Sequence, residues 1–124
     1  MRHWVYHSQA QFSASHALTL YLGAAEEQHE HVWKVAIEVS ATELQPEHFA
    51  LDFHAVHAAL AEAVAPLDGT DLNLHDRIGH PSPTAERVAE VLADDLVPRM
   101  ARLGGALRTL SVWEGPGNRV DLEL

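Results

Sequence analysis

The sequence contains no cysteine, and this absence excludes several kinds of chemistry at once. Disulfide bonds, thiolate metal ligands and a thiol nucleophile are all ruled out. A chain without disulfides is compatible with the reducing cytosol. The first residues also lack the basic-then-apolar pattern of a secretion signal, so we expect a cytoplasmic protein.

Basic residues and long apolar runs are also scarce. The 124 residues include 8 lysines and arginines against 18 aspartates and glutamates, which gives a formal net charge of −10. The basic residues are scattered, so no cluster is available to neutralise phosphates and we expect no nucleic-acid partner. No segment has the unbroken apolar length of a membrane helix, so we expect no membrane partner. Length and composition predict a single globular domain over residues 1–124.

Histidine, by contrast, is abundant, with ten residues in the chain. His29 and His31 open an alternating segment, so on a strand both would lie on the same face as the apolar Trp33. His16 lies at the end of an earlier extended segment. Imidazole is the commonest metal ligand, and three protein ligands with one open position are typical of catalytic zinc. The spacing favours a zinc site, and histidines that bind no metal are the alternative.

Periodicity predicts a ββααββ order and an α+β fold. Alternation predicts strands over residues 3–14, 29–42, 106–114 and 119–124, with His16 able to extend the first. Helical spacing predicts one helix that is capped by Asp52 and ends at Pro66, and a longer one that begins at Ser82-Pro83. Pro98 should kink the longer helix or mark its last turn. The result is a four-stranded antiparallel sheet with both helices on one face and connections over 17–28 and 67–82. Its open edges favour a homo-oligomer.

Several short motifs occur in one order along the chain. They are Phe12-Ser13-Ala14-Ser15-His16, His29-Glu30-His31, Leu51-Asp52-Phe53, Leu67-Asp68, Leu72-Asn73, Pro83-Thr84-Ala85-Glu86 and Glu114. This series resembles the 6-pyruvoyltetrahydropterin synthase and 6-carboxytetrahydropterin synthase family over essentially the whole chain. The resemblance implies a tunnelling fold, in which ββααββ subunits join their sheets into a trimeric barrel and two trimers stack as a hexamer.

The resemblance also implies a zinc cofactor and a pterin ligand. The family's three zinc histidines correspond to His16, His29 and His31, and its pterin-holding glutamate corresponds to Glu114. The segment Thr84, Ala85 and Glu86 would assist in substrate binding. A carboxylate accepts two parallel hydrogen bonds from an amino-pyrimidine edge, as it does from a guanidinium. A solvated charge at a strand end is the alternative for Glu114.

Two catalytic positions depart from the family's pattern. The synthase cysteine is replaced by Ala25, and the family's Leu-Asp-His motif reads Leu67-Asp68-Gly69. Asp68 is the member of the catalytic set that remains. Each positioned acid or base contributes a factor of about 10²–10⁴ in rate, so we expect no ordinary synthase activity. Glu30 stands between the zinc histidines, where glycine is common, and its charge could alter the surroundings of the ligands.

A variant branch of the family carries a glutamate three residues before the first zinc histidine, and Glu26 has that offset. The resemblance to this branch implies a lyase that cleaves the side chain of a dihydroneopterin-type substrate to a 6-hydroxymethyl pterin. Glu26 would act as the base, with Asp68 as the second catalytic residue. Two alternatives remain open. One is a non-catalytic pterin-binding paralogue, with or without zinc, and the other is a structural oligomer whose histidines bind nothing.

Overall fold

Two helices pack on one face of a five-stranded sheet in the computed structural model, which describes residues 2–19 and 23–124. The strands are β1 (Trp4–His16), β2 (His29–Ala41), β3 (Thr70–Asp71), β4 (Ala106–Glu114) and β5 (Arg119–Glu123). The helices are α1 (Phe53–Val64) and α2 (Ala85–Arg102). The strand order is β3-β1-β2-β4-β5, and every pair is antiparallel except β1 with β3. The predicted α+β class is confirmed.

The hairpin of β1 and β2 forms the centre of the sheet. Its 13-residue strands pair from Trp4 opposite Ala41 to His16 opposite His29. Burial alternates along β2, where Trp33 and every second residue after it are buried. Side chains of one parity therefore face the helices, as the sequence predicts, and the opposite parity forms a more polar face.

Helix α2 covers the inner face of the sheet. Its fully buried residues recur at helical spacing (Val88, Leu92, Leu96 and Met100), and they share one hydrophobic core with Leu110 and Val112 of β4. Trp33 is 0% exposed and stacks on Phe12 with ring centroids 5.8 Å apart. This stack gives the sheet a rigid apolar layer next to the histidines.

The helix ends agree with the sequence prediction in one case and differ from it in the other. The Asp52 carboxylate accepts a hydrogen bond from the His54 amide at 2.8 Å and caps α1, as predicted. The predicted start of α2 at Ser82-Pro83 is wrong, because Thr84 accepts the Arg87 amide at 3.1 Å and the helix begins at Ala85. Ser82 is also a good capping residue, but its hydroxyl accepts the Thr19 amide hydrogen at 3.1 Å instead. Pro98 lies inside α2, which continues to Arg102.

The sheet has one strand more than predicted. Strand β3 is two residues long and pairs in parallel with Ala14 and Ser15 of β1, which is too short for any alternation to appear in the sequence. The predicted connection over 17–28 includes residues 20–22, which lie outside the described residues. Within residues 2–19 and 23–124, no helix is long and apolar enough to cross a membrane.

Candidate metal centre

Three strand ends meet at one end of the sheet. His16 ends β1 directly opposite His29, the first residue of β2, and Glu114 ends β4 opposite Trp33. His31 lies on the same face as His29 because side chains two positions apart on a strand point to the same side of the sheet. One ligand atom from each of His16, His29, His31 and Glu114 lies within 4.8 Å of all the others. We call these four residues the histidine–glutamate cluster.

The shortest contacts of the cluster are made by His16. Its Nε2 atom lies 2.8 Å from His29 Nε2 and 2.7 Å from Glu114 Oε1. The same Glu114 oxygen lies 3.5 Å from His29 Nε2 and 3.4 Å from His31 Nε2. The His16 side chain is 1% exposed, whereas the other three side chains are each 31% exposed. The cluster therefore has a buried floor and a side that solvent reaches.

Backbone carbonyl groups fix the proton positions of two rings. His16 Nδ1 lies 2.9 Å from the Pro83 carbonyl oxygen, and His29 Nδ1 lies 3.1 Å from that of Glu27. A carbonyl oxygen only accepts, so we assign the hydrogen to Nδ1 in both rings. The Nε2 atoms of the neutral rings then present lone pairs to the cluster. Metal-binding histidines are oriented by the same kind of contact on the other ring nitrogen.

The donor set fits a divalent cation such as zinc. Two imidazole lone pairs and a carboxylate oxygen at these separations repel one another unless a cation or a proton lies between them. Zinc–nitrogen bonds of about 2.0–2.1 Å at tetrahedral angles hold ligand atoms about 3.3 Å apart. The separations of Glu114 Oε1 from His31 and His29, 3.4 and 3.5 Å, match this geometry. The contacts of His16 with Glu114 and His29, 2.7 and 2.8 Å, are shorter than it and would have to lengthen by about half an ångström on zinc binding.

The environment of His31 favours its metal-binding form. Burial lowers the pKa of His31 below its ordinary value of 6.5, and neighbouring His29 acts in the same direction, while Glu114 opposes them. The ring therefore remains neutral at lower pH than an exposed histidine does.

A family model described as 6-pyruvoyl tetrahydropterin synthase matches residues 6–123. The chain belongs to this family. The family predicted from the short motifs is thereby confirmed. No curated protein matches the chain.

Several solved structures share this fold over nearly their whole length. The Caenorhabditis elegans 6-pyruvoyl tetrahydropterin synthase has a TM-score of 0.83 at 17% identity, with 100% of this chain and 97% of that chain covered. The uncharacterized protein WS1659 from Wolinella succinogenes has a TM-score of 0.80 at 15% identity, with 99% of each chain covered. The Plasmodium falciparum 6-pyruvoyl tetrahydropterin synthase has a TM-score of 0.76 at 15% identity, with 98% of each chain covered.

The two predicted catalytic carboxylates have different surroundings in this family member. Glu26 lies beside the cluster, with Oε1 3.7 Å from His29 Nδ1, and the same oxygen accepts the Leu18 amide hydrogen at 3.1 Å. The Glu26 amide in turn donates to the Leu18 carbonyl at 3.0 Å, which fixes the residue at the rim. Asp68 is exposed, and its carboxylate accepts the Ser13 amide hydrogen at 2.8 Å along β1.

The predicted substrate-binding segment starts next to the cluster. Pro83 contacts His16 through its carbonyl oxygen, so the following residues lie close to the buried floor. The Thr84 hydroxyl is occupied as the cap of α2, Ala85 is buried, and Glu86 is exposed in the first turn of the helix. Of the three, Glu86 is the side chain that solvent reaches most readily.

Sequence reasoning missed a polar network that holds the chain segments on both sides of the histidine–glutamate cluster. The Asn73 side chain accepts the Ala17 amide hydrogen at 2.8 Å and donates to the Ala17 carbonyl at 2.7 Å. Asp71 Oδ1 accepts the Asn73 amide hydrogen at 2.9 Å and Gln28 Nε2 at 3.0 Å. We call Asp71 and Asn73 the clamp. Ala17 follows His16 and Gln28 precedes His29, so the clamp joins the chain segments that carry these two facing histidines. The Leu72-Asn73 motif is the signal in the sequence that could have pointed to it.

Proposed function

We propose that the chain is a zinc-dependent lyase that binds a dihydropterin and cleaves its side chain, with Glu26 as the proton-transferring residue. The observation that carries this proposal is the position of Glu26, whose carboxylate lies 3.7 Å from His29 at the rim of the histidine–glutamate cluster. Two similar solved structures of the Plasmodium vivax 6-pyruvoyltetrahydropterin synthase have a catalytic glutamate replaced, by cysteine in one and alanine in the other. Their TM-scores are 0.72 and 0.69 at 12% and 9% identity. A catalytic glutamate therefore has a precedent on this fold.

His16, His29 and His31 would hold the zinc ion through Nε2. When bound, zinc polarises substrate oxygens and stabilises the negative charge that develops on them. The backbone contacts of His16 and His29 hold the two rings in the orientation that ligation requires.

Glu114 would bind the amino-pyrimidine edge of the pterin. A carboxylate can accept two parallel hydrogen bonds from the ring amide and the exocyclic amino group. Thr84 would contribute by fixing the start of α2, because its hydroxyl already caps the helix, and the adjacent Ala85 and Glu86 would form the wall of the pocket.

Glu26 would take a proton from the hydroxyl group of the second side-chain carbon. The bond between the first and second side-chain carbons then breaks, and the second carbon leaves as part of an aldehyde. The electron pair remains on the carbon that is attached to the pterin ring, and return of the proton there gives a 6-hydroxymethyl pterin. Asp68 has no step in this path, because Glu26 is the carboxylate that lies beside His29, whereas the Asp68 carboxylate contacts the Ser13 amide of β1.

The proposal is tested by incubating zinc-loaded protein with dihydroneopterin and measuring both products by mass spectrometry. Glu26→Gln should lower turnover by about 10²–10⁴-fold while zinc content and pterin binding are retained. Glu27→Gln is the matched control, because it removes the charge of the adjacent exposed residue. Equal turnover in Glu26→Gln and the wild type would show that Glu26 is not the base.

A non-catalytic pterin-binding protein is the second candidate. It is favoured by Ala25 and Gly69, which leave the family's thiol and imidazole positions without reactive groups. Pterin retained by the purified protein, with no product at any zinc level, would select this candidate, and Glu114→Ala should then abolish binding. Absence of both zinc and pterin would leave the structural oligomer.

We propose that the chain acts as a homo-oligomer, in keeping with the hexamer that the family resemblance implies. Strand β3 covers β1 only at Ala14 and Ser15, so within the described residues the edge from Trp4 to Ser13 has no strand beside it. Open edges of this length are usually paired or covered in natural proteins. Sedimentation equilibrium that shows a monomer at micromolar concentration would contradict this part of the proposal.

A further inference from the structure

We propose that Glu114 is the fourth metal ligand of the ligand-free protein and that it leaves the metal when a pterin binds. This inference rests on the proposed function for the identity of the ligand and concerns how the same site is opened. The coordination position that the substrate requires on the metal would thus become available only after the pterin ring has been recognised.

The geometry gives Glu114 the position of a ligand. All its contacts with the three histidines are made through Oε1, at 2.7, 3.5 and 3.4 Å from the Nε2 atoms of His16, His29 and His31. An oxygen equidistant from two ring nitrogens and close to the third occupies a vertex of a four-ligand site. Three nitrogen atoms and one carboxylate oxygen form a donor set that zinc accepts.

A site with four protein ligands is closed to substrate. Catalytic zinc sites keep one coordination position for water or substrate, whereas sites with four protein ligands are structural. If Glu114 stays on the metal, the proposed lyase has no position for the substrate oxygens. In a four-coordinate site one ligand would leave to admit the substrate, and the buried His16 is held by Pro83.

Glu114 is the ligand that can move. Its side chain is 31% exposed, and its backbone amide donates to the Asn118 carbonyl at 3.1 Å, so the side chain can rotate while the strand end stays in place. A paired contact with the amino-pyrimidine edge uses both carboxylate oxygens. The Glu114 carboxylate cannot make this contact and bind the metal through Oε1 at the same time.

The two roles of Glu114 make metal and pterin binding mutually dependent. A pterin that lacks side-chain hydroxyl groups has no oxygen there to bind the metal, so the metal adds nothing to its affinity. It must nevertheless displace Glu114 from the metal. By linkage, the metal weakens binding of such a pterin by the same factor by which the pterin weakens binding of the metal. Couplings of this kind are typically about 5–150-fold.

Cobalt-substituted protein provides the test, because the visible spectrum of Co²⁺ reports its coordination number and ligands. Glu114→Gln should change the spectrum and weaken metal binding by at least about 10-fold in competition with a chromophoric chelator. Glu38→Gln is the matched control, since Glu38 is a carboxylate of strand β2 that lies on its polar face and away from the histidines of the cluster. Glu114→Asp keeps the charge and shortens the side chain, so it should also change the spectrum. Circular dichroism confirms that each variant is folded.

The second measurement is titration with 6-methylpterin, which has no side-chain hydroxyl. It should change the wild-type cobalt spectrum in the direction of Glu114→Gln, and it should bind metal-free protein more tightly than loaded protein. A cobalt spectrum unaffected by Glu114→Gln, or equal 6-methylpterin affinity with and without metal, would overturn the proposal. If 6-methylpterin binds neither form, the switch and the proposed pterin site are both wrong. Dihydroneopterin turnover without coupling would overturn the switch and leave the proposed lyase intact.

Discussion

Replacing Asn73 with alanine removes both hydrogen bonds that hold Ala17 beside the metal centre. Each net hydrogen bond contributes about 0.5–1.5 kcal/mol to stability, so the free energy of unfolding should fall by about 1–3 kcal/mol. Ala17 is 9% exposed, and its amide hydrogen would lose its partner where water has little access. The loss should therefore lie in the upper half of that range, which corresponds to roughly 8–12 °C in Tm.

The same variant should weaken zinc binding, because Ala17 directly follows the buried His16, which is a proposed ligand. Loss of a residue that orients a metal ligand typically costs about 10–100-fold in affinity. Thermal unfolding of metal-free protein at one fixed protein concentration measures the first effect, and chelator competition measures the second. Asn73→Asp keeps the acceptor for the Ala17 amide but places a charge against its carbonyl, so it should retain only part of the stability.

Gln45→Ala is the control for removing a side-chain amide, because Gln45 is exposed in the turn before α1. It should stay within about 0.5 kcal/mol of the wild type. An Asn73→Ala variant that matches Gln45→Ala in both Tm and zinc affinity would refute the clamp. A lower Tm with unchanged zinc affinity would show that the clamp stabilises the fold without positioning His16.

Two further predictions follow from local packing and charge. Gly79→Ala should lower stability by about 1–3 kcal/mol in thermal unfolding, because a Cβ there would overlap the Asn73 carbonyl and lie 2.9 Å from that of His75. Gly117→Ala, with nothing within 4 Å of its added Cβ, should not show this loss, and equal effects would refute the packing argument. The lowered pKa of His31 means that the folded state binds fewer protons than the unfolded state, so metal-free protein should lose stability as the pH falls below 6.5. His31→Gln should reduce that slope, and an unchanged slope would contradict the assignment.

Features that depend on the pattern of neighbouring residues, such as strand bounds, strand faces and the cap of α1, are predicted well from the sequence. Alternation around Trp33 gives β2 to within one residue and the face on which His29 and His31 lie. Parity alone also puts Glu114 on the inner face with Leu110 and Val112. Asp52 is correctly predicted as a cap because a short acceptor directly before an apolar helical period has few other uses.

Features that depend on strand order cannot be obtained from the same patterns. The distance of Glu114 from His16 requires β4 to lie beside β2, and no periodicity encodes that neighbour. The family resemblance assigns Glu114 to the pterin, and the contact with three imidazoles is visible only in the folded chain. The clamp has the same origin, because Asn73 and Ala17 lie 56 positions apart in the chain.

The histidine–glutamate cluster also bears on the stability of the fold. His16 Nε2 and Glu114 Oε1 are 2.7 Å apart although 98 positions separate them in the sequence. A cation held by both residues joins them in the folded chain only, because it dissociates when unfolding separates its ligands. Binding to the folded chain alone stabilises it by mass action, by about 4 kcal/mol when the free metal concentration is about 1,000 times the Kd. Chelation would remove this stabilisation, and metal supply would then regulate the durability of the fold.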